Sequence, residues 1–114
     1  MTVSIVTVRE KFLRLQDEIV GTLSILDDET HFHGKDLEAS GGGLSRPRVL
    51  SDGKHIEKAA VQFTHSLGQS LPPAATERNP ALEGLPFQAT SISVIVHPRN
   101  PHVPTTHMNL RFFL

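Results

Sequence analysis

The stretch FQATSISVIVHPRNPHVPTTHMNLRFF, residues 87–113, decides the fold. Its first part, residues 87–97, is rich in β-branched residues and continuous enough for a buried strand. Its last part, from residue 106 onward, alternates polar and apolar residues with the two-residue period of a strand. Three prolines between the two parts exclude regular helix and central strand there: Pro98, Pro101 and Pro104. The stretch therefore predicts two adjacent antiparallel strands joined by a rigid loop.

Several polar residues in the two predicted strands occupy alternate positions and so share one side of each strand. In the order of the two strands they are Ser91, Ser93, His97, His107, Asn109 and Arg111. An arginine fork binds a carboxylate through two hydrogen bonds, an amide donates and accepts, and an imidazole exchanges protons near neutral pH. Together these groups suit an anionic organic acid. A solvated outer face of a half-buried sheet is the plainer interpretation of the same pattern.

Upstream, the segment TVREKFLRLQDEIVGTLSIL, residues 7–26, has the apolar spacing of an amphipathic helix. Its stripe consists of Phe12, Leu15, Ile19, Leu23 and Leu26. Thr7 and Glu10 match a capping box, which predicts the helix start at that point. We expect this helix to pack against a sheet.

The middle of the chain predicts a loop, a hairpin and a surface connection, in that order. Residues 31–47 lack periodicity and contain three successive glycines, so they predict a loop in which His31 and His33 are solvated. The turn signal at residues 51–53 predicts a hairpin, and the alternation around Phe63 predicts its second strand. Residues 70–86 are Pro-rich and predict a surface connection. The fold class is therefore α+β, an N-terminal helix packed on an antiparallel sheet, with residues 1–114 as a single domain.

Composition excludes several classes of protein. The 114 residues contain no cysteine, which removes disulfides, thiolate metal sites and thiol nucleophiles. The net charge of −1 offers no cationic field for nucleic acid. The N-terminus lacks a secretory signal, and no apolar run is long enough to span a bilayer. We therefore expect a cytoplasmic protein with no nucleic-acid partner and no membrane span.

A metal site competes with the organic-acid site. His97, His102 and His107 offer imidazole ligands without thiolates, which suits zinc, iron, nickel or copper. A cupin-like centre would use a tight His-x-His motif, and that motif occurs only at His31 and His33, far upstream. A small histidine-rich metal-binding β protein, cupin-like in character, therefore stays open as an alternative.

The stretch closely resembles the signature of oxygen-dependent coproporphyrinogen III oxidase, the aerobic enzyme of haem biosynthesis. That signature is a serine, an apolar run and then His-Pro-x-Asn-Pro-x-x-Pro-Thr-x-His-x-Asn-x-Arg-[Tyr/Phe]-Phe. The matching residues are Ser93, His97, Pro98, Asn100, Pro101, Pro104, Thr105, His107, Asn109, Arg111, Phe112 and Phe113. The segments GGGLSRPRVLSDGKHIEKAAVQFTHSLG and LPPAA continue the resemblance, which covers nearly the whole chain.

The sequence also departs from the family pattern. Ala60, Gln62 and Thr64 stand where the family has glycine, asparagine and serine. Arg46 and Pro47 look like an insertion, and the family's aromatic segment before the glycines is missing. Family members are several times longer, so the chain resembles only their N-terminal part.

The resemblance implies a large flat antiparallel sheet flanked by helices, in a homodimer. It implies an oxidoreductase of porphyrin biosynthesis that performs oxidative decarboxylation, turning two propionates of coproporphyrinogen III into the vinyl groups of protoporphyrinogen IX. Dioxygen is the co-substrate, no organic cofactor is needed, and a divalent metal would be held by His97 and His107. By the same resemblance His107 is the catalytic proton donor, while Ser93, Asn109 and Arg111 bind the substrate.

We expect the chain to be a truncated form or fragment of such an enzyme, with weak or absent turnover on its own. A non-catalytic porphyrinogen-binding remnant is a further alternative. An exposed apolar edge at the terminal strand, with Leu110, Phe112 and Leu114 on one face, predicts aggregation or dimerisation.

Overall fold

The computed structural model describes residues 4–68 and 86–114. It contains one α-helix, α1 (Ile5–Leu26), and five strands. The strands are β1 (Leu37–Glu38), β2 (Leu44–Ser51), β3 (Ile56–Gly68), β4 (Phe87–Pro98) and β5 (Thr106–Phe113), with a 3-10 turn at Ser40–Gly42. Each strand pairs antiparallel with the next, in the sheet order β1-β2-β3-β4-β5. This arrangement confirms the predicted α+β class and both hairpins. The larger flanked sheet stays a prediction, and nearly all of the predicted Pro-rich connection lies outside the described residues.

The helix begins earlier than the sequence predicts. Its N-cap is Ser4, whose side chain makes no capping hydrogen bond, and Thr7 and Glu10 lie inside the helix. The capping-box prediction is therefore wrong, because half-buried Ile5 and Val8 carry the helix one turn further upstream. The apolar stripe is confirmed as far as Leu23.

Only one face of the sheet packs against α1. Its core holds Val61, Phe63, Ile92, Val94, Leu50, Ile56 and Ala59, which the structure buries. Phe12, Leu15, Ile19 and Leu23 of the helix pack against this core. Leu26, expected in the same stripe, is instead 63% exposed at the last residue of the helix. Gln16 of the helix is buried, and its Nε2 donates to the carbonyls of Arg46 and Val61 of the sheet at 2.6 and 3.0 Å.

Strand β2 begins at Leu44, so the predicted loop over residues 31–47 is too long. Pro47 lies within this strand, where the prediction placed no strand. Val49 exchanges both backbone hydrogen bonds with His33 on the outer edge of β2. Pro47, two residues earlier, directs its nitrogen to the same outer edge, where the β2–β3 ladder needs no N–H. As predicted, the side chains of His31 and His33 are exposed.

Candidate active site

The sheet face opposite α1 carries a band of polar side chains, which we call the open face. Its members are Ser45, Gln62, Thr64, Ser91, Ser93, His97, His107, Asn109 and Arg111, which the strand register places on one side. The helix packs on the other side, so no helix among residues 4–68 and 86–114 covers this face. Among the described residues, this polar face is therefore open to a ligand.

Two cross-strand pairs form the centre of the open face. Ser93 on β4 lies directly opposite Asn109 on β5, and Ser91 lies opposite Arg111. Directly opposed residues have Cβ atoms about 4.5–5.5 Å apart, so the two members of each pair are close enough to contact one ligand group. Hydroxyl, amide and guanidinium are thereby gathered into a patch of hydrogen-bond donors that suits a carboxylate.

The two site histidines share this face but do not oppose each other. His107 lies across from Ile95, whereas His97 lies two residues further along β4, beside Lys58 of β3. Such a diagonal relation separates two Cβ atoms by roughly 7–8 Å or less. His107 is therefore continuous with the patch around Asn109 and Arg111, and His97 lies at its margin.

The site side chains on β5 are available to a ligand. His107, Asn109 and Arg111 are exposed, and Ser93 is half-buried in the neighbouring strand. Within the described parts of the chain, none of these four side chains makes a hydrogen bond or an ion pair to another residue. The exposed side chains of His107, Asn109 and Arg111 are therefore accessible to an incoming acid.

Gln62 and Thr64 extend the patch onto β3 and were missed as site residues. Gln62 lies opposite Ser93, and Thr64 lies opposite Ser91. The Gln62 amide donates to Ser45 Oγ at 2.8 Å and also contacts the Thr64 hydroxyl, at 3.4 Å. The signal was present in the sequence, since both residues alternate with buried Val61 and Phe63 and must point away from the core.

The chain also matches a known protein family. The family model described as Coproporphyrinogen III oxidase matches residues 7–114 of the 114-residue chain. The chain belongs to the coproporphyrinogen III oxidase family. The oxidase family places it in porphyrin biosynthesis, with a porphyrinogen as the substrate that fits. The match confirms the resemblance that the signature of the last two strands indicated.

In this chain, the loop after His97 is held by the neighbouring hairpin. Arg99 donates from Nε and Nη2 to the carbonyl of Gly53, at 3.1 and 2.7 Å. The backbone N–H of Arg99 also donates to the carbonyl of His55. Asn100 closes the turn, because its side-chain oxygen accepts from the N–H of His102 at 2.9 Å. These contacts fix the ends of the two strands that carry His97 and His107.

A metal centre is not formed by the described residues alone. Across residues 4–68 and 86–114, no three histidine, aspartate or glutamate side chains are grouped as metal ligands. His97 and His107 share a face, but a catalytic divalent metal needs about three protein ligands. The pair therefore does not fit a metal by itself.

The described part of this family member contains one helix, and that helix is not long and apolar enough to cross a membrane.

Proposed function

We propose that this chain carries the substrate-binding wall of an oxygen-dependent coproporphyrinogen III oxidase. The observation that supports the proposal is the alignment of Ser93, Asn109 and Arg111 on the open face, with His107 beside them. The same residues occupy the fixed positions of the family signature.

The proposed reaction oxidises a propionate side chain to a vinyl group. The bond between the carboxylate carbon and its neighbouring methylene breaks, and its electron pair becomes the new carbon–carbon double bond. One hydrogen leaves the methylene next to the pyrrole ring together with its bonding electron pair, so that each side chain is oxidised by two electrons. Dioxygen accepts that hydrogen and its electron pair and takes up one proton, which gives hydrogen peroxide, while carbon dioxide leaves. Two propionates react in this way, which gives protoporphyrinogen IX, and no organic cofactor takes part.

Arg111 is the proposed anchor of a propionate carboxylate. A guanidinium presents two parallel N–H groups to the two carboxylate oxygens, and such charge-assisted pairs are stronger than neutral hydrogen bonds. Asn109 and Ser93, which face each other across β4 and β5, would bind the same side chain or the adjacent pyrrole. The three donors hold the substrate in one orientation, which is the main contribution a protein makes to a reactive pyrrole.

His107 is the proposed catalytic residue for proton transfer. His107 and Asn109 are neighbours on the open face of β5, so a substrate group bound by Asn109 would lie close to the imidazole. An imidazole can supply or remove a proton near neutral pH. His97, at the margin of the face, would form part of the wall.

A sheet face is one wall, and a tetrapyrrole needs walls on several sides. We infer that the remaining walls come from outside the described residues, and that a homodimer is the working form. The 114-residue chain by itself is therefore proposed to bind porphyrinogen but to turn it over weakly.

The test measures binding and turnover separately. The chain is mixed with coproporphyrinogen III without oxygen, binding is measured, and air is then admitted while vinyl porphyrin fluorescence is followed. Arg111→Ala should weaken binding by roughly tenfold or more, the equivalent of one charge-assisted hydrogen bond. Arg14→Ala, which removes an exposed arginine from α1, serves as the matched control and should leave binding unchanged.

Equal loss of binding in the Arg111 and Arg14 variants would refute the role of Arg111. Robust turnover by the unmodified chain would refute the one-wall interpretation. His107→Ala should lower the residual turnover while binding stays within about twofold, because proton transfer acts after binding.

A further inference from the structure

A second concave site lies on the helix side of the sheet, behind the loop that joins β4 to β5. It is an open pocket of about 560 Å³ between the end of α1, the β2–β3 turn and that loop. Its apolar lining consists of Leu23, Leu26, Ile56, Val96, Val103 and Pro104. Val96 points to the helix side, whereas the next residue, His97, points to the open face. The pocket is therefore separate from the proposed active site.

The rim of this pocket is cationic. Lys54 and Arg99 line it, and no aspartate or glutamate does among the residues that the structure describes. In that same part of the chain, neither Lys54 nor Arg99 has an ion-pair partner. The carboxylate of nearby Asp28 lies 3.1 Å from His55 Nε2 rather than against either cation, and the carboxylate of Asp27 is fully buried and accepts three backbone N–H groups. The two rim cations are thus left to attract an anion from solvent.

The side chain of Arg99 is held in place beside the pocket. The carbonyl of Gly53 accepts from its Nε and Nη2, which fixes the plane of the guanidinium. Its remaining N–H donors have no acceptor within the described residues, and a fixed guanidinium loses little conformational entropy when it binds. Two floor residues, Leu26 and Val103, are 63% and 49% exposed, so an apolar ligand body would remove apolar surface from water.

We propose that this pocket binds a small ligand with an apolar body and a single carboxylate, of the class of a medium-chain alkanoate. The volume lies within the roughly 300–1,000 Å³ of small-molecule sites. The apolar body would lie on Leu26 and Val103, with the carboxylate between Lys54 and Arg99. Bound there, the ligand would also brace the loop between His97 and His107. The proposal does not depend on the catalytic function proposed above.

Hexanoate is the probe, and hexanamide is its uncharged match in size. Each is titrated into the full chain while backbone amide shifts are followed by NMR. Hexanoate should give saturable shifts at Ile56 and Val103, and hexanamide should bind roughly tenfold or more weakly because it lacks the charge. Lys54→Glu should remove saturable binding, whereas Lys35→Glu, the same charge change at an exposed position elsewhere, should not.

Far-UV circular dichroism establishes that both variants are folded, which we expect because both lysines are exposed. Equal affinity for hexanoate and hexanamide would overturn the proposal, as would shifts confined to the open face or no saturable shifts at all. Turnover plays no part in this experiment, so its failure would leave the proposed oxidase function untouched.

Discussion

Asp27 is a fully buried carboxylate that no cation neutralises in the described structure. It caps the C-terminal end of α1, where the helix dipole disfavours an anion by about 0.3–1 kcal/mol. The backbone N–H groups of Lys54, His55 and Ile56 donate to it at 2.9, 2.7 and 2.8 Å. Hydrogen bonds to a charged group contribute about 1.5–3 kcal/mol each, so they outweigh the dipole and tie the helix end to the β2–β3 turn.

Replacement of Asp27 by alanine should lower the free energy of unfolding by about 3 kcal/mol or more, because three buried N–H groups lose their acceptor. Asp28→Ala, next to it but exposed, should cost about 0.5 kcal/mol or less. Urea denaturation of both variants measures the difference. Equal effects at the two positions would contradict the role assigned to Asp27.

Asp27 also makes the fold sensitive to acid. Burial alone would raise the pKa of its carboxyl, but the Thr30 hydroxyl and the three backbone N–H groups hold that pKa well below its usual value. Its stabilising contribution is therefore fully present above the unfolded pKa of about 3.9 and is lost as pH falls towards the folded pKa. The Asp27→Ala variant should lack this loss in urea titrations between about pH 5 and pH 2. A wild-type chain with the same acid slope would contradict the assignment.

His65, unlike Asp27, is favoured in its uncharged form in the folded chain. It is buried, its Nε2 lies 3.2 Å from Gln88 Oε1, and burial followed by nearby Arg9 lowers the pKa of its imidazole. Between the unfolded pKa of about 6.5 and the lower folded pKa, only the unfolded chain gains a proton, so stability falls as pH falls. His65→Leu should flatten this part of the stability profile. His55→Gln, at an exposed position, should leave it in place.

The sequence could identify Asp27 and Asp28 as a helix-ending pair but not which of them is buried. That choice depends on the β2–β3 turn, where a side chain at Gly53 would overlap the Asp27 carboxylate. Only a glycine allows this approach, and the turn signal alone did not reveal the partner. The same limit applies to Gln62, whose neighbours Ser45 and Ser93 come from two other strands.

At the scale of elements, α1 is held to the sheet chiefly by its apolar stripe. Leu23 packs against the buried core of the sheet, whereas Leu26, one turn later, is 63% exposed. Leu23→Ala should therefore cost about 2–3 kcal/mol of unfolding free energy, while Leu26→Ala should cost about 0.5 kcal/mol or less. Thermal denaturation compares the pair, and similar melting temperatures would contradict the packing described.

The periodicity of apolar residues predicted the strands and the helix stripe, because it shows which side of an element is buried against the core. It failed where the outcome depends on the ends of elements. The Thr7–Glu10 pattern does not mark the helix start, because Ile5 and Val8 are half-buried and extend the helix upstream. Pro47 lies within β2 because its nitrogen faces the outer edge of that strand. Both errors concern partners distant in sequence, which a local pattern does not contain.

At the scale of the whole molecule, the candidate site follows from the register between strands. Parity predicted that His107, Asn109 and Arg111 share a side, but only pairing determines that Ser93 meets Asn109. The family signature named those residues without their neighbours. Gln62 and Thr64 complete the patch from a strand more than two dozen residues upstream. The site is therefore a property of three adjacent strands rather than of the signature alone.

The last strand of the described sheet, β5, has one free backbone edge, since it pairs only with β4 there. Leu110 and Leu114 at this edge are 40% and 60% exposed. A long strand edge with apolar side chains pairs readily with another chain. We expect the 114-residue chain to associate as its concentration rises, which sedimentation velocity would measure as an increasing average mass.

The position of the contact can be tested with two matched substitutions. Leu110→Lys charges the β5 edge and should shift the chain towards monomer by roughly tenfold or more in dissociation constant, because an edge lysine opposes strand pairing. Leu37→Lys charges the other edge, β1, at a leucine that is also exposed, 60% in this case. That edge is only two residues long and offers a poor template, so association should persist. A monomer at all concentrations, or an equal effect of the two lysines, would rule out association through β5.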